Sequence, residues 1–165
     1  MSTLYVDTIN EKTSGNGVQI PGHVVQVQRT EWSADNATSS TSFIDTGRYV
    51  TITPTSTSSK ILVMVITGYW VTGGGGVSDY LASTIYRNGT TNLGQANDST
   101  YGVFLNRTGG QDSNYTQMAI GQIYDSPSTT SATTYNYYVR ATAGNTIYYG
   151  DARVWSSITA MEIAQ

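Results

Sequence analysis

One histidine and eleven carboxylates are the acid–base chemistry open to this chain of 165 residues, and it has no cysteine. Without Cys there is no thiol nucleophile, no thiolate metal ligand and no disulfide. A serine triad could draw only on His23, which follows the Pro21-Gly22 turn signal. No Gly-x-Ser-x-Gly elbow sits at a strand-to-helix transition. His23 also lacks a cluster of further ligand types around it, so it reads as a junction or surface residue rather than a metal ligand. Glycoside cleavage needs two facing carboxylates, yet most acids here fall in turns, where Asp has an ordinary local role. Glu162 is the exception, embedded in an apolar segment. It reads as a solvent-facing or inter-subunit partner of an arginine such as Arg140 or Arg153. Asp98, Asp112 and Asn114 could offer oxygens to a cation but lack calcium-loop spacing. The glycine run 73–76 has no Gly-Lys-Ser/Thr ending and no helix after it, so it is no phosphate loop. The chain is therefore expected not to be an enzyme and to need neither metal nor cofactor.

What remains is surface chemistry. Trp70, Tyr80, Tyr101 and Tyr115 lie in or beside polar, glycine-rich stretches. Gathered at one end of a sandwich, they would form a candidate ligand-binding surface. Aromatic rings stack on sugars, Asn and Asp bond hydroxyls, and Tyr, Ser, Gly and Asn are common in adaptable binding loops. Five Asn-x-Ser/Thr triplets start at Asn36, Asn88, Asn97, Asn106 and Asn114, and a composition this rich in Ser, Thr and Asn generates such triplets by itself.

The elements that must position these residues are strands. Hydrophobic residues make up 38% of the chain and charged residues only 12%, about half the usual share. The 13 Tyr against 2 Phe indicate aromatics that keep one end wet. Net charge is −3, with no basic patch, which argues against nucleic acid. No basic leader with an apolar run opens the sequence, and the longest apolar run, 61–66, is too short to span a bilayer. No membrane insertion is expected.

Strand-like runs recur with turn residues between them, the spacing of a sandwich or barrel. Residues 24–32 alternate, with Val25, Val27 and Arg29 on one face. Residues 42–53 follow, then 60–71, whose continuous apolar run predicts a central strand covered on both faces. A strand over 80–87 leads into Asn88-Gly89, the strongest hairpin signal in the chain, with 90–93 returning. Residues 97–114 read as polar loop with a short apolar patch at 103–105. Strands are predicted over 118–124, 133–141, 146–149 and 156–164. In the last, Ile158, Ala160 and Glu162 oppose Thr159, Met161 and Ile163. A closing apolar strand must be tied down, centrally or at a subunit interface, so Ile158, Met161 and Ile163 are candidate interface residues. The expected fold is an all-β, antiparallel, jelly-roll-like sandwich over 23–165, preceded by a short extended β arm over 1–22. In the arm Leu4 and Val6 alternate with polar residues, Ile9 follows, and Val18 and Ile20 form a second apolar pair. Two short strands have no core of their own. Leu4, Val6, Ile9, Val18 and Ile20 are thus candidate attachment and trimerisation residues.

The arm sequence LYVDTINEKTSGNGVQIPG resembles the N-terminal segment of short fibre and structural proteins of tailed bacteriophages, those of marine bacteria above all. KILVMVITGYW, TIYRNGTTNLG, YDSPSTTSATTYNYYVRA and SITAMEIAQ resemble the β knob that follows such segments, so the likeness covers most of the chain. It implies a homotrimer with a tumour-necrosis-factor-like jelly-roll knob, held to other virion proteins of tail or capsid by its arm. It further implies a virion component assembled in the host cytoplasm, whose knob binds a host-surface glycan. A capsid decoration or tail adaptor with a purely structural role is the alternative. No long repetitive shaft separates arm from knob, so the protein would be stubby.

Overall fold

The computed structural model describes residues 6, 8–10, 20–71, 78–94, 104–109 and 116–165, and in these there is no helix. Eleven strands follow one another: β1 (Val24–Trp32), β2 (Asn36–Thr38), β3 (Ile44–Ile52), β4 (Lys60–Val71), β5 (Ser78–Arg87), β6 (Thr91–Asn92), β7 (Phe104–Gly109), β8 (Gln117–Asp125), β9 (Thr133–Ala141), β10 (Ile147–Tyr149) and β11 (Ser156–Ile163). All pairings are antiparallel. The long strands make two sheets, β1–β11–β4–β8 and β3–β9–β5–β7. Short β10 and β2 extend the first beside the end of β4, and β6 completes the hairpin after β5. Each sheet takes strands alternately from the two ends of the chain, the double Greek-key order of a jelly roll.

Alternation sets the core. On β9 the inward Tyr135, Tyr137 and Val139 are buried, and the same holds for Ile61, Val63 and Val65 of β4 and Ile158 and Ala160 of β11. Asn88 and Gly89 both have positive φ, 53° and 67°, as a type I′ hairpin turn requires. Three polar clusters hold the rims. At one end Arg87 reaches across the sandwich to Asp125 (2.9 and 3.0 Å), which also accepts from the Tyr135 hydroxyl (2.8 Å). Burial, reinforced by the contact with Asp125, pushes the Tyr135 hydroxyl far above its usual pKa. Nearby, Glu162 is fully buried. At the other end Asp151 accepts from Arg153 (2.7 Å) and from the Thr116 hydroxyl. Arg153 holds the Asp151 carboxyl far below its usual value. This cluster seats the 150–155 loop on the outer side of β4, where a side chain at Gly68 would meet Val154 and Asp151 at 2.5 and 2.9 Å.

Several expectations change on the structure. Residues 104–109, read as part of a polar loop, pair with β5 over six positions. A bulge between Val24 and Gln26 moves Val25 out of register, so Val24 joins Val27 and Arg29 on one face. β4 is central, but its outer face is covered only toward the Gly68 end: Ile66 on that face is 39% exposed. Among the described residues Glu162 has no arginine partner. Its Oε1 accepts from the Thr55 N–H and hydroxyl (2.8 Å each) and the Ser59 hydroxyl (2.6 Å), and its Oε2 from Gln26 (2.6 Å). Those four neutral donors outweigh burial and lower its pKa.

Candidate functional site: an apolar sheet face

Cross-strand partners share a face, so the register of β1, β11, β4 and β8 builds the outer surface of that sheet row by row. One row runs Val27–Met161–Leu62–Tyr124, apolar or aromatic across all four strands. Val24 and Ile163 pair beside it. Up β4 and β8 the apolar column continues through Met64, the Ile66–Ile120 pair and the Gly68–Met118 pair. Polar residues border it: Gln122, Thr159 and Ser157, Lys60 opposite Ile163 at one end, and the ion pair Arg29–Glu31 (2.7 Å) toward the β1 edge.

Six of these residues are open to solvent in the single chain, and Leu62, Met64, Met161 and Ile163 are half-buried among them. Exposure runs from 39% at Ile66 to 67% at Ile120, with Val24, Val27, Met118 and Tyr124 between. Trp155, just ahead of β11, is 71% exposed. Outside the arm, the only other exposed large hydrophobic among the described residues is Tyr49. The six exposed side chains of the face alone present on the order of 500 Å² of largely apolar surface, at the upper end of what a monomer shows. An apolar centre with a polar margin is the anatomy of a protein interface. Among the described residues no charged side chain stands within the apolar centre, which can be dehydrated against a matching surface.

The residues singled out from the sequence distribute as follows. Met161 and Ile163 stand on this face, half-buried, whereas Ile158 points inward at 0% exposure and cannot touch a neighbour. The alternation that placed Ile158 opposite Met161 already separated the two. Val6, Ile9 and Ile20 of the arm are exposed, and Leu4 and Val18 lie outside the described residues. His23 closes the turn between arm and sandwich: its N–H and its Nδ1 both approach the Ile20 carbonyl, at 3.1 and 2.9 Å. Gly22 N–H donates to Ala164 O and Ala164 N–H to His23 O, so residues 22–23 lie beside the end of β11.

Trp70 stacks on Tyr148 across β4 and β10, rings 3.7 Å apart, on the outside of the β4 sheet. Tyr80 stands on β5, on the outside of the other sheet. The sandwich therefore separates these two, and Tyr101 and Tyr115 lie outside the described residues. Glycines 73–76, Asp98, Asp112 and Asn114 lie there too. Among the described residues no three His, Asp or Glu side chains converge on a metal-sized site, and no helix is long and apolar enough to cross a membrane. The sequence signal for the apolar face was the unbroken apolar run of β4, which places hydrophobic residues on both sides of one strand.

No family model matches the chain, and no curated protein matches it. Among solved structures it is similar to the VP2 subviral particle of infectious bursal disease virus, at 9% identity and a TM-score of 0.49 over 98% of this chain and 37% of that one. It is similar also to the Gx strain of the same virus, at 11% identity and a TM-score of 0.41 over 86% and 33%. The chain thus spans roughly a third of the length of these structures. At such scores the fold assignment rests on the strand order itself.

Proposed function

We propose that this chain is a structural, self-associating subunit of a virus particle, and that three copies meet through the outer face of β1–β11–β4–β8. The observation that carries the reading is that face, with its uninterrupted row Val27–Met161–Leu62–Tyr124 and the exposed Ile66, Met118 and Ile120 beside it. Converted at about 25 cal/mol per Å², on the order of 500 Å² of apolar burial corresponds to roughly 12 kcal/mol per face. Association costs on the order of 4–15 kcal/mol, so the face is of the size at which a stable assembly becomes favourable. A second copy is the natural occupant, because the centre carries no charge that would call for a partner of opposite sign.

The virion setting is supported by the resemblance of the arm and knob segments to short phage fibre proteins and by a fold common among capsid and lectin domains. In this reading the arm, residues 1–22, engages tail or capsid, and the opposite sheet looks outward toward the host. The role is mechanical and adhesive rather than catalytic. Light scattering on the full chain tests it. Three copies of 17.8 kDa give about 53 kDa. A monomer near 17.8 kDa at micromolar concentration would contradict the assembly.

A further inference from the structure

The outer face of β3–β9–β5 differs in kind from the apolar one. Its register places Tyr49 opposite Asn136, Asn136 opposite Tyr86, and Tyr86 opposite Asn92. One transverse row across four strands thus alternates ring, carboxamide, ring, carboxamide. At about 4.8 Å between strands, the two tyrosines stand about 10 Å apart with Asn136 between them, and the row spans roughly 14 Å. Tyr86 is braced by Tyr138, stacked at 4.0 Å. Tyr49 is 51% exposed and Asn92 is exposed.

The polar atoms of the row keep bonding capacity. Among the described residues neither tyrosine hydroxyl has a hydrogen-bond partner, nor does the Asn136 side-chain oxygen. The Asn136 amide reaches Asp45 only at 3.4 Å. Asn92 spends its oxygen on Thr84 and Gly94, leaving its amide hydrogens. Asp45 accepts from Gly47 N–H at 2.8 Å and is exposed beside Tyr138. Arg140, further along β9, donates to Thr41 O and lies over Phe43.

We propose that the Tyr49–Asn136–Tyr86–Asn92 row is a binding platform for a neutral oligosaccharide. The rings offer flat apolar surface to the C–H faces of sugar units, and the amides and Asp45 bond the hydroxyls between them. The exposed Asp45 carboxylate beside the row disfavours an anionic sugar. The length of the row suits an extended oligosaccharide rather than a single ring. This site is distinct from the aromatic residues picked out in the sequence, and it rests on the reading that this face is turned outward while the other is buried between copies.

Saturation-transfer NMR on the full chain, with cellotetraose, laminaritetraose and maltotetraose as probes, tests the proposal. Transfer to the ring protons of at least one probe is expected. Tyr49→Ala and Asn136→Ala should each weaken that affinity roughly fivefold to tenfold, the loss of one contact, with the mass by light scattering unchanged. No transfer from any probe, or transfer unaltered by both substitutions, overturns the platform. The assembly is read separately: a monomeric protein that still binds through Tyr49 refutes the trimer and keeps the platform, and a trimer that binds nothing does the reverse.

Discussion

Glu162→Gln is the substitution whose cost follows most directly from the structure. The carboxylate lies directly between Met161 and Ile163 in the chain but on the opposite side of β11, so it anchors the strand that carries the apolar face. Its two oxygens accept four hydrogen bonds, from the Thr55 N–H and hydroxyl, Ser59 and Gln26. A glutamine keeps the shape but supplies one oxygen. That oxygen can serve the three donors on the Oε1 side. The new NH2 then faces the Gln26 amide, which also donates to Thr53 O at 2.7 Å and cannot turn over without losing that bond. One bond is lost and three fall from charge-assisted to neutral strength, a total of about 3 kcal/mol. For a domain of this size each kcal/mol lowers Tm by roughly 2–4 °C, so the variant should melt roughly 6–12 °C lower at matched protein concentration. The sign with pH also follows. The folded pKa of Glu162 is below its usual 4.5, so its contribution is complete above 4.5 and disappears as pH falls through the lower folded value. The gap in Tm between wild type and variant should therefore be full at pH 7 and shrink toward pH 3. Scanning calorimetry at both pH values is the assay. A variant that melts within about 2 °C of wild type at pH 7 would refute the network's role.

Two further outcomes follow from geometry elsewhere. Ile120→Asp places a charge at the most exposed point of the apolar face, 67% open in the single chain, where burial without a partner costs several kcal/mol; light scattering should show dissociation to a monomer that melts cooperatively. Gly150→Ala should destabilise by about 2 kcal/mol. Gly150 has φ +78°, and a Cβ there would stand 2.6 Å from Ala34 O and 2.9 Å from Trp32 Nε1; denaturant melts followed by Trp fluorescence read the loss.

The legible parts of this fold are the locally encoded ones. β9 alternates so cleanly that its predicted limits, 133–141, are those observed. Asn88-Gly89 makes the predicted turn because both residues tolerate positive φ. The missed parts depend on partners distant in sequence. β7 contains Asn, Thr and Gly and is a strand only because β5 offers it a ladder. The bulge at Val25 is a choice of register against β11, invisible in β1 alone. Glu162 suggested an arginine because only its own strand was in view, while its four donors come from β1 and from the loop after β3. The candidate interface residues divide for the same reason: Ile158 faces the core, while Met161 and Ile163 face outward. The closing strand was recognised as one that must be covered, but which alternate residues face the core and which face a neighbour depends on the side that the second sheet packs against.

Because the chain has no cysteine, one introduced thiol reports on one place. The most direct test of the account compares the thiol reactivity of Ile120→Cys, on the apolar face, with that of Tyr49→Cys, on the opposite one, in the native full-length protein at a concentration where light scattering gives about 53 kDa, three copies of 17.8 kDa. The account predicts strong protection at position 120, relieved on dilution to monomer, and free reaction at position 49 throughout. Equal, concentration-independent reaction at both positions would contradict it.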